Sequence, residues 1–304
     1  MDRSLLDKVT IIIPVLNEEE AIGDVIDELF ETGFTRDQVV VVDGHSTDRT
    51  REIASSKGVR VVLQEGSGKA AAVYTGLRYA DREYVVIMDG DYTYPAKYIP
   101  VMLERAVSGG YDEVIGARVA GRENIPLINR FGNYFLTRLF NLMFGTKLSD
   151  VLSGLYLVRR DMLDNALFET SGFSIECEIA SHIVASGGKV AEVPIKYRRR
   201  KGRAKLRIRH GLQIGVDIIR LALRYNPAVF ILLAALVLLI PGLVLGVYTG
   251  YHYFFTGVKY YVKGLIAMIL VATGSNLLIL SIIAIYLKRM EIRLLRQIRS
   301  RKTQ

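Results

Sequence analysis

Four short apolar runs frame the first third of the chain. Val9–Ile13, Val39–Val42 and Val85–Met88 are rich in Val and Ile, the pattern of strands buried on both faces; Val59–Leu63, which carries Arg60, reads as a further strand. They end in Pro14, in Asp43-Gly44, in Gln64-Glu65-Gly66 and in Asp89-Gly90-Asp91. Helical segments are predicted between them. Asn17 is placed to cap one that begins with Glu18, Glu19 and Glu20; another starts at Asp48; a third follows the loop Gln64–Lys69 with Ala70, Ala71 and Ala72. Strands alternating with helices predict an α/β fold with a mostly parallel sheet. Asp43 and Asp89 then share one sheet edge, where open α/β sheets bind ligands. Further on, Phe131, Phe135, Leu139, Leu142 and Met143 recur at helical spacing. They predict a core-facing helix over Asn129–Gly145, with the alternative that part of this face rests on a bilayer.

The pattern changes near residue 226. Ala228–Tyr248 and Gly264–Leu287 are uncharged apolar runs, each of about 20 residues, enough to span hydrocarbon. The loop between them is rich in Tyr and Phe, as at a membrane interface. The division expected is a soluble domain over 1–205, an amphipathic interfacial segment over 206–227, a two-helix transmembrane hairpin over 228–287 and a basic tail over 288–304. The chain is half hydrophobic yet carries +9, and much of its basic charge flanks the spans. Lys196–Arg209 has nine Lys or Arg and no acid; beside a span such a run suits anionic headgroups better than nucleic acid. By the positive-inside rule the soluble domain and both termini are expected in the cytosol. The N-terminus lacks a long apolar stretch, so no signal peptide is expected. One cysteine, Cys177, excludes an internal disulfide framework.

Candidate chemistry gathers on the sheet edge. Asp89 and Asp91 offer carboxylate oxygens to a hard divalent cation, which in turn suits phosphates; an ordinary Asp-Gly turn is the competing reading. The loop Gly66-Ser67-Gly68-Lys69 lacks Walker spacing, and no GxGxxG follows the first strand, which argues against a P-loop NTPase or a dinucleotide enzyme.

Taken together, IIIPVLNEEE, VVVDGHSTDRT, GSGKAAAVYTGL, MDGDYTYP, VIGARV, SDVLSGLYLVRR and GFSIECEIA resemble, in order and spacing, the family 2 glycosyltransferases of the GT-A fold. The likeness is strongest to dolichyl-phosphate mannose and polyprenyl-phosphate glucose synthases, and it covers about residues 8–210. It implies a GT-A-type nucleotide-binding domain followed by two transmembrane helices. It implies a nucleotide-sugar site made by Pro14, Asn17, Glu18, Asp43, Gly68, Lys69, Asp89 and Arg118. Asp89 and Asp91 match the D-x-D metal site for Mg2+ or Mn2+, with Thr93 where some relatives place a further ligand. Arg118, Arg130, Ser153, Arg199 and Lys205 are the implied acceptor-phosphate residues, the last two from a motif in which Ala204 replaces the usual Ser. Asp91, Asp150 and Arg199 are the candidate catalytic residues, and Glu178 aligns better than Glu176 with a recurring acid. Asp43-Gly44-His45-Ser46 departs from the usual Asp-Asp-Gly-Ser, which leaves the base open between GDP-mannose and a UDP-hexose.

The implied reaction is inverting transfer of a hexose from a nucleotide sugar to dolichyl or polyprenyl phosphate at the cytosolic membrane face. Expected partners are therefore the nucleotide sugar, the lipid phosphate and membrane lipids, not nucleic acid; a homo-oligomer stays open. The alternatives are a membrane glycosyltransferase for another lipid or glycan, or a non-enzymatic scaffold. A processive polysaccharide synthase is disfavoured, since its Q-x-x-R-W motif needs a Trp and the chain has none.

Overall fold

The structure is a computed structural model that describes residues 3–163, 175–202 and 208–302. The elements, in order, are α1 (Arg3–Leu6), β1 (Val9–Val15), α2 (Ile22–Thr32), β2 (Val39–Asp43), α3 (Thr50–Ser56), β3 (Arg60–Leu63), α4 (Gly68–Leu77), β4 (Tyr84–Met88) and α5 (Tyr98–Gly109). They continue with β5 (Glu113–Ala120), α6 (Leu127–Phe144), β6 (Leu155–Arg159), α7 (Ile175–Ala185), β7 (Val190–Lys196), α8 (Ile208–Tyr225), α9 (Pro227–Tyr251) and α10 (Tyr261–Lys302). The chain divides into two compact units, Met1–Leu221 and Ala222–Gln304.

In the first unit the seven strands form one sheet in the order β3-β2-β1-β4-β6-β5-β7. The four apolar runs read from the sequence are β1 to β4, and their mutual pairings are parallel. Only β6 runs antiparallel, between β4 and β5. One core layer lies on each face. Ile11, Ile13, Val39 and Val86 pack on one side; Ile12, Val40, Val85, Tyr156 and Ile179 pack on the other. Helix α4 lies close on the second face: a Cβ at Gly76 would stand 2.5 Å from Ile12 Cγ2, so no larger residue fits there.

The strand order reverses at β1. From it the chain steps outward to β2 and β3, then returns to place β4 on its other side. Register pairs Val15 with Asp43 and Ile12 with Ile87, which brings Asp43 and the Asp89–Asp91 turn to either side of the carboxyl end of β1. Such a switch point leaves a crevice open for ligands.

Two sequence expectations are corrected. Helix α2 begins at Ile22, after Ala21, not at Glu18; Asn17 and Glu18 stay in the preceding turn, where their polar groups bond the neighbouring loop. Helix α6 forms as predicted but buries a different stripe. Leu136, Thr137, Phe140, Met143 and Phe144 face the core, whereas Phe131, Phe135 and Leu142 are 74%, 61% and 71% exposed. The helix carries large apolar residues outside the buried stripe as well as within it, so periodicity alone could not say which stripe the domain takes.

In the second unit α9 and α10 belong to stretches of 30 and 35 residues, Pro227–Thr256 and Tyr261–Leu295, long and apolar enough to cross a membrane. Small residues let them approach: a Cβ at Gly274 would stand 2.8 Å from the Leu239 backbone nitrogen, and one at Gly242 2.8 Å from Leu270 Cβ. Close backbone contact of this kind suits association in lipid. Ser281 donates to the Ala228 carbonyl at 3.1 Å, which satisfies its hydroxyl inside the hairpin.

Candidate active site

The crevice is built from two turns locked together and one clasped to a distant basic segment. Asn17 takes a left-handed conformation (φ 48°). Its backbone nitrogen donates to Ser46 Oγ at 2.9 Å, and its side-chain oxygen accepts from the Thr47 nitrogen at 2.8 Å. The Glu18 nitrogen donates to Thr50 Oγ1 at 2.8 Å. Across this seam lies Asp43, fully buried at the end of β2. Its Oδ2 accepts from the Ser46 nitrogen at 3.0 Å and lies 3.5 Å from Arg51 Nε. Its Oδ1 has no partner among the described residues. A buried acceptor left open in this way suits an N–H or O–H donor brought by a ligand. Pro14 is half-buried beside it and His45 is exposed.

The Asp89–Asp91 turn carries the largest concentration of charge. Asp91 is buried; its Oδ1 accepts from the Thr93 nitrogen at 3.1 Å and the Thr93 hydroxyl at 2.5 Å. Thr93, expected among the metal ligands, is fully buried and spends its hydroxyl on orienting Asp91. Asp89 Oδ1 lies 2.6 Å from Lys69 Nζ, and Lys69 also pairs with Glu176. Gly68, at the start of α4, is exposed with φ 85°, which only glycine adopts without strain. Gly154 seats Asp89: its nitrogen donates to the Tyr94 hydroxyl at 2.7 Å, and a Cβ there would fall 2.0 Å from Asp89 Oδ2.

Burial and the charge of Asp89 push the Asp91 carboxyl upward, while Arg200 pulls it back. Burial alone would lower Lys69, but Asp89 and Glu176 outweigh it and hold the ammonium well above its ordinary range. Burial raises Glu176, partly offset by Lys69.

Arg118 and Asp150 do not stand apart as a phosphate ligand and a catalytic acid. They bind each other. Arg118 Nε and Nη2 each donate to Asp150 at 2.6 Å, the Arg118 backbone nitrogen donates at 3.0 Å, and Nη2 also reaches the Leu152 carbonyl. Both side chains are buried, so this bidentate pair fixes the end of β5 to the loop before β6. Ser153 is buried too, and its hydroxyl donates to the Gly116 carbonyl at 2.5 Å rather than facing the crevice. Arg130 reaches the Arg122 carbonyl through Nη2 at 2.9 Å, while its Nε has no partner among the described residues.

The basic segment after β7 returns to the crevice. Arg198 and Lys201 donate backbone N–H groups to the Thr93 and Asp91 carbonyls at 2.9 and 3.2 Å. The Arg198 guanidinium lies 3.9 Å, and the Lys201 ammonium 4.2 Å, from the Tyr92 ring centre. Arg200 then spans two buried acids, donating from Nη1 to Asp91 Oδ2 at 2.6 Å and from Nη2 to Glu18 Oε1. Arg199, the residue picked from the sequence, is exposed and makes no hydrogen bond or ion pair with the described residues; Lys205 lies outside the described residues. Glu176, not Glu178, reaches the site: it meets Lys69, whereas Glu178 is fully buried in α7. Arg200 and Tyr94 are residues that motif spacing did not single out, and Glu176 is the acid that it ranked behind Glu178. Adjacent arginines in a charge run look alike until a backbone trace says which one points inward.

Among the described residues no group of three His, Cys, Asp or Glu side chains could hold a metal by itself. Asp91 and Asp89 nonetheless fit a hard cation that takes one or two carboxylates and completes its shell with water and substrate phosphates.

Residues 10–167 match Glycosyl transferase family 2. The chain is 33% identical over 284 residues to Glycosyltransferase AglJ of Haloferax volcanii, covering 91% of this chain and 93% of that one. It is 38% identical over 226 residues to a Dolichyl-phosphate hexose transferase of the same organism, covering 73% and 97%. It is 31% identical to a Dolichol-phosphate mannosyltransferase of Pyrococcus furiosus, covering 66% and 59%. In fold it is similar to glucosyl-3-phosphoglycerate synthase from Mycobacterium tuberculosis, with a TM-score of 0.60 at 22% identity over 73% of this chain and 81% of that one; that structure is a complex with Mn2+, UDP-glucose and phosphoglyceric acid.

Proposed function

We propose that this chain, which belongs to glycosyl transferase family 2 and is a glycosyltransferase, transfers a hexose from a nucleotide sugar to the phosphate of a membrane polyprenol, dolichyl phosphate being the reading we favour. The observation that carries this is the clasp of Arg200 on Asp91 and Glu18. It joins the donor-side carboxylates to a basic segment that runs on, through α8, into two apolar spans. The names of the relatives from Haloferax and Pyrococcus support the lipid phosphate; GDP-mannose and a UDP-hexose both remain candidate donors.

The residues divide the work as follows. Asp43 Oδ1 accepts a donor N–H or O–H from the nucleoside, beside the turn of Pro14, Asn17 and Glu18. Asp91, oriented by Thr93, and Asp89, held by Lys69, take a divalent cation, Mg2+ or Mn2+, which supplies charge neutralisation for the departing diphosphate. The basic segment with Arg199 receives the lipid phosphate. A phosphate monoester has a second pKa of about 6, so the attacking oxygen is already ionised at neutral pH and no side chain has to take a proton from it. Its lone pair forms the bond to the anomeric carbon as the bond from that carbon to the diphosphate oxygen breaks, and the nucleoside diphosphate leaves with the electron pair. In-line attack inverts an α-linked donor to a β-linked product.

Membrane-embedded full-length protein, radiolabelled GDP-mannose or UDP-glucose, and dolichyl phosphate are the components of the direct test. Label is expected in the lipid fraction with one donor, and to disappear with EDTA. Transfer to phosphoglycerate or to free glycan, with none to dolichyl phosphate, would refute the acceptor.

The outer stripe of α6 fits the same setting. Leu127, Phe131, Phe135 and Leu142 are exposed along one line, and so are Leu212 and Val216 of α8, a helix that approaches α6 where a Cβ at Gly215 would stand 3.4 Å from Leu136 Cδ2. We read this as a surface laid against the bilayer. A chain without tryptophan makes each introduced Trp a sole probe. Trp in place of Phe131 or Leu142, in vesicle-reconstituted protein, is expected to be quenched by brominated lipids, and Trp in place of the exposed Tyr79 is not. Equal access of aqueous quencher to all three positions contradicts the reading.

A further inference from the structure

Each aspartate of the Asp89–Asp91 turn already carries a cation supplied by the chain itself, and the two are held differently. Lys69 stands on α4 between Asp89 and Glu176, with its side chain 14% exposed. Arg200 lies on the segment after β7, with its side chain 25% exposed. Its Nε is buried without a partner among the described residues. Gly202, two residues on, has φ 76°, so the segment turns sharply just beyond it. Among the described residues Lys69 thus bridges Asp89 and Glu176, and Arg200 bridges Asp91 and Glu18.

We propose that Arg200 is a displaceable internal counter-ion: it fills the gap between Glu18 and Asp91 until a divalent cation takes Asp91 Oδ2, and it must withdraw when that happens. The inference rests on the metal-dependent reading of the site. The physical reason is that a guanidinium nitrogen 2.6 Å from Asp91 Oδ2 and a metal on the same carboxylate would set two positive charges within a few ångströms of each other in a partly buried place, where their repulsion is poorly screened. Lys69 faces no such conflict on the same scale, because Glu176 keeps it neutralised when Asp89 turns to a metal. Arg200 also has a second acid, Glu18, but it stands on the segment between β7 and α8 and not on a helix as Lys69 does, so it is the one of the two cations that can withdraw. Its withdrawal also pulls on the backbone: the N–H groups of Arg198 and Lys201 are bonded to the Thr93 and Asp91 carbonyls. Metal loading is thereby coupled to loosening of the segment that the proposed function assigns to the lipid phosphate.

The test uses Mn2+ alone, followed by electron paramagnetic resonance on the detergent-solubilised full chain. Arg200→Met removes the charge and keeps the apolar stem. It is expected to tighten Mn2+ binding at least about ten-fold, the worth in affinity of one charge-assisted hydrogen bond no longer competing. Arg200→Lys is expected to fall between it and the parent. Unchanged or weaker Mn2+ binding in Arg200→Met, in a protein whose Mn2+ site is lost with Asp91→Asn, overturns the counter-ion role and leaves the metal site standing. Mn2+ binding that Asp91→Asn does not affect, or no binding at all, overturns both. Should Arg200→Met not fold, hydrogen exchange on the parent protein decides: the Arg198 and Lys201 amides are expected to exchange faster with saturating Mn2+, and equal or slower exchange overturns the proposal.

Discussion

Asp91→Ala is expected to lower sugar transfer by about 10³-fold or more, with the fold intact. Asp91 is buried, is oriented by two bonds from Thr93 and faces Arg200; among the described residues no other carboxylate at the crevice has that combination. Losing one preorganised group that stabilises developing charge typically costs 10²- to 10³-fold, and losing the Lewis acid that neutralises a leaving diphosphate adds to this. The loss should appear in kcat, because the charge it balances develops as the bond to the diphosphate breaks. The measurement is transfer of radiolabel to the lipid fraction, beside circular dichroism to verify folding. Activity within ten-fold of the parent would falsify the role assigned to Asp91.

Asp150→Ala is expected to act chiefly on stability. It strands the Arg118 guanidinium in a buried place after removing two of its bonds, and takes a third from the Arg118 backbone nitrogen. Breaking a buried ion pair from one side costs ~3–5 kcal/mol, a large share of the ~5–15 kcal/mol that holds a domain together. At ~2–4 °C per kcal/mol for a domain of this size, the melting temperature should fall by at least about 6 °C, followed by circular dichroism. Inactivation then follows from the loosened loop before β6, including Gly154, which seats Asp89. A variant that melts with the parent but is inactive would instead make Asp150 a group acting directly on the substrates.

Both predictions turn on a distinction between what a motif names and what a side chain touches. The Asp-x-Asp spacing marked Asp89 and Asp91, and both lie at the switch-point crevice of the sheet. The same kind of matching gave Arg118 a phosphate and Thr93 a metal, yet in the fold Arg118 is occupied by Asp150 and Thr93 by Asp91. A motif records that a residue type is needed at a place; whether it meets the ligand or holds the neighbour that does depends on which way the side chain turns. Arg199 and Arg200 show the limit most plainly. They are adjacent in a run of like charges, one is exposed, and the other reaches two acids more than a hundred residues away in sequence.

The sequence by itself determined the α/β alternation, the four parallel strands, the two apolar spans and the carboxylates at strand ends. These follow from local pattern: continuous Val and Ile runs need burial on both faces, and uncharged runs of some 20 residues need lipid or another apolar cover. Only the tertiary structure decided the order of the strands, the antiparallel β6, the stripe of α6 that faces the core, and the partners of Arg118, Lys69 and Arg200. Those depend on contacts between segments far apart along the chain, where several acids and bases are equally available by charge and geometry alone selects the pair.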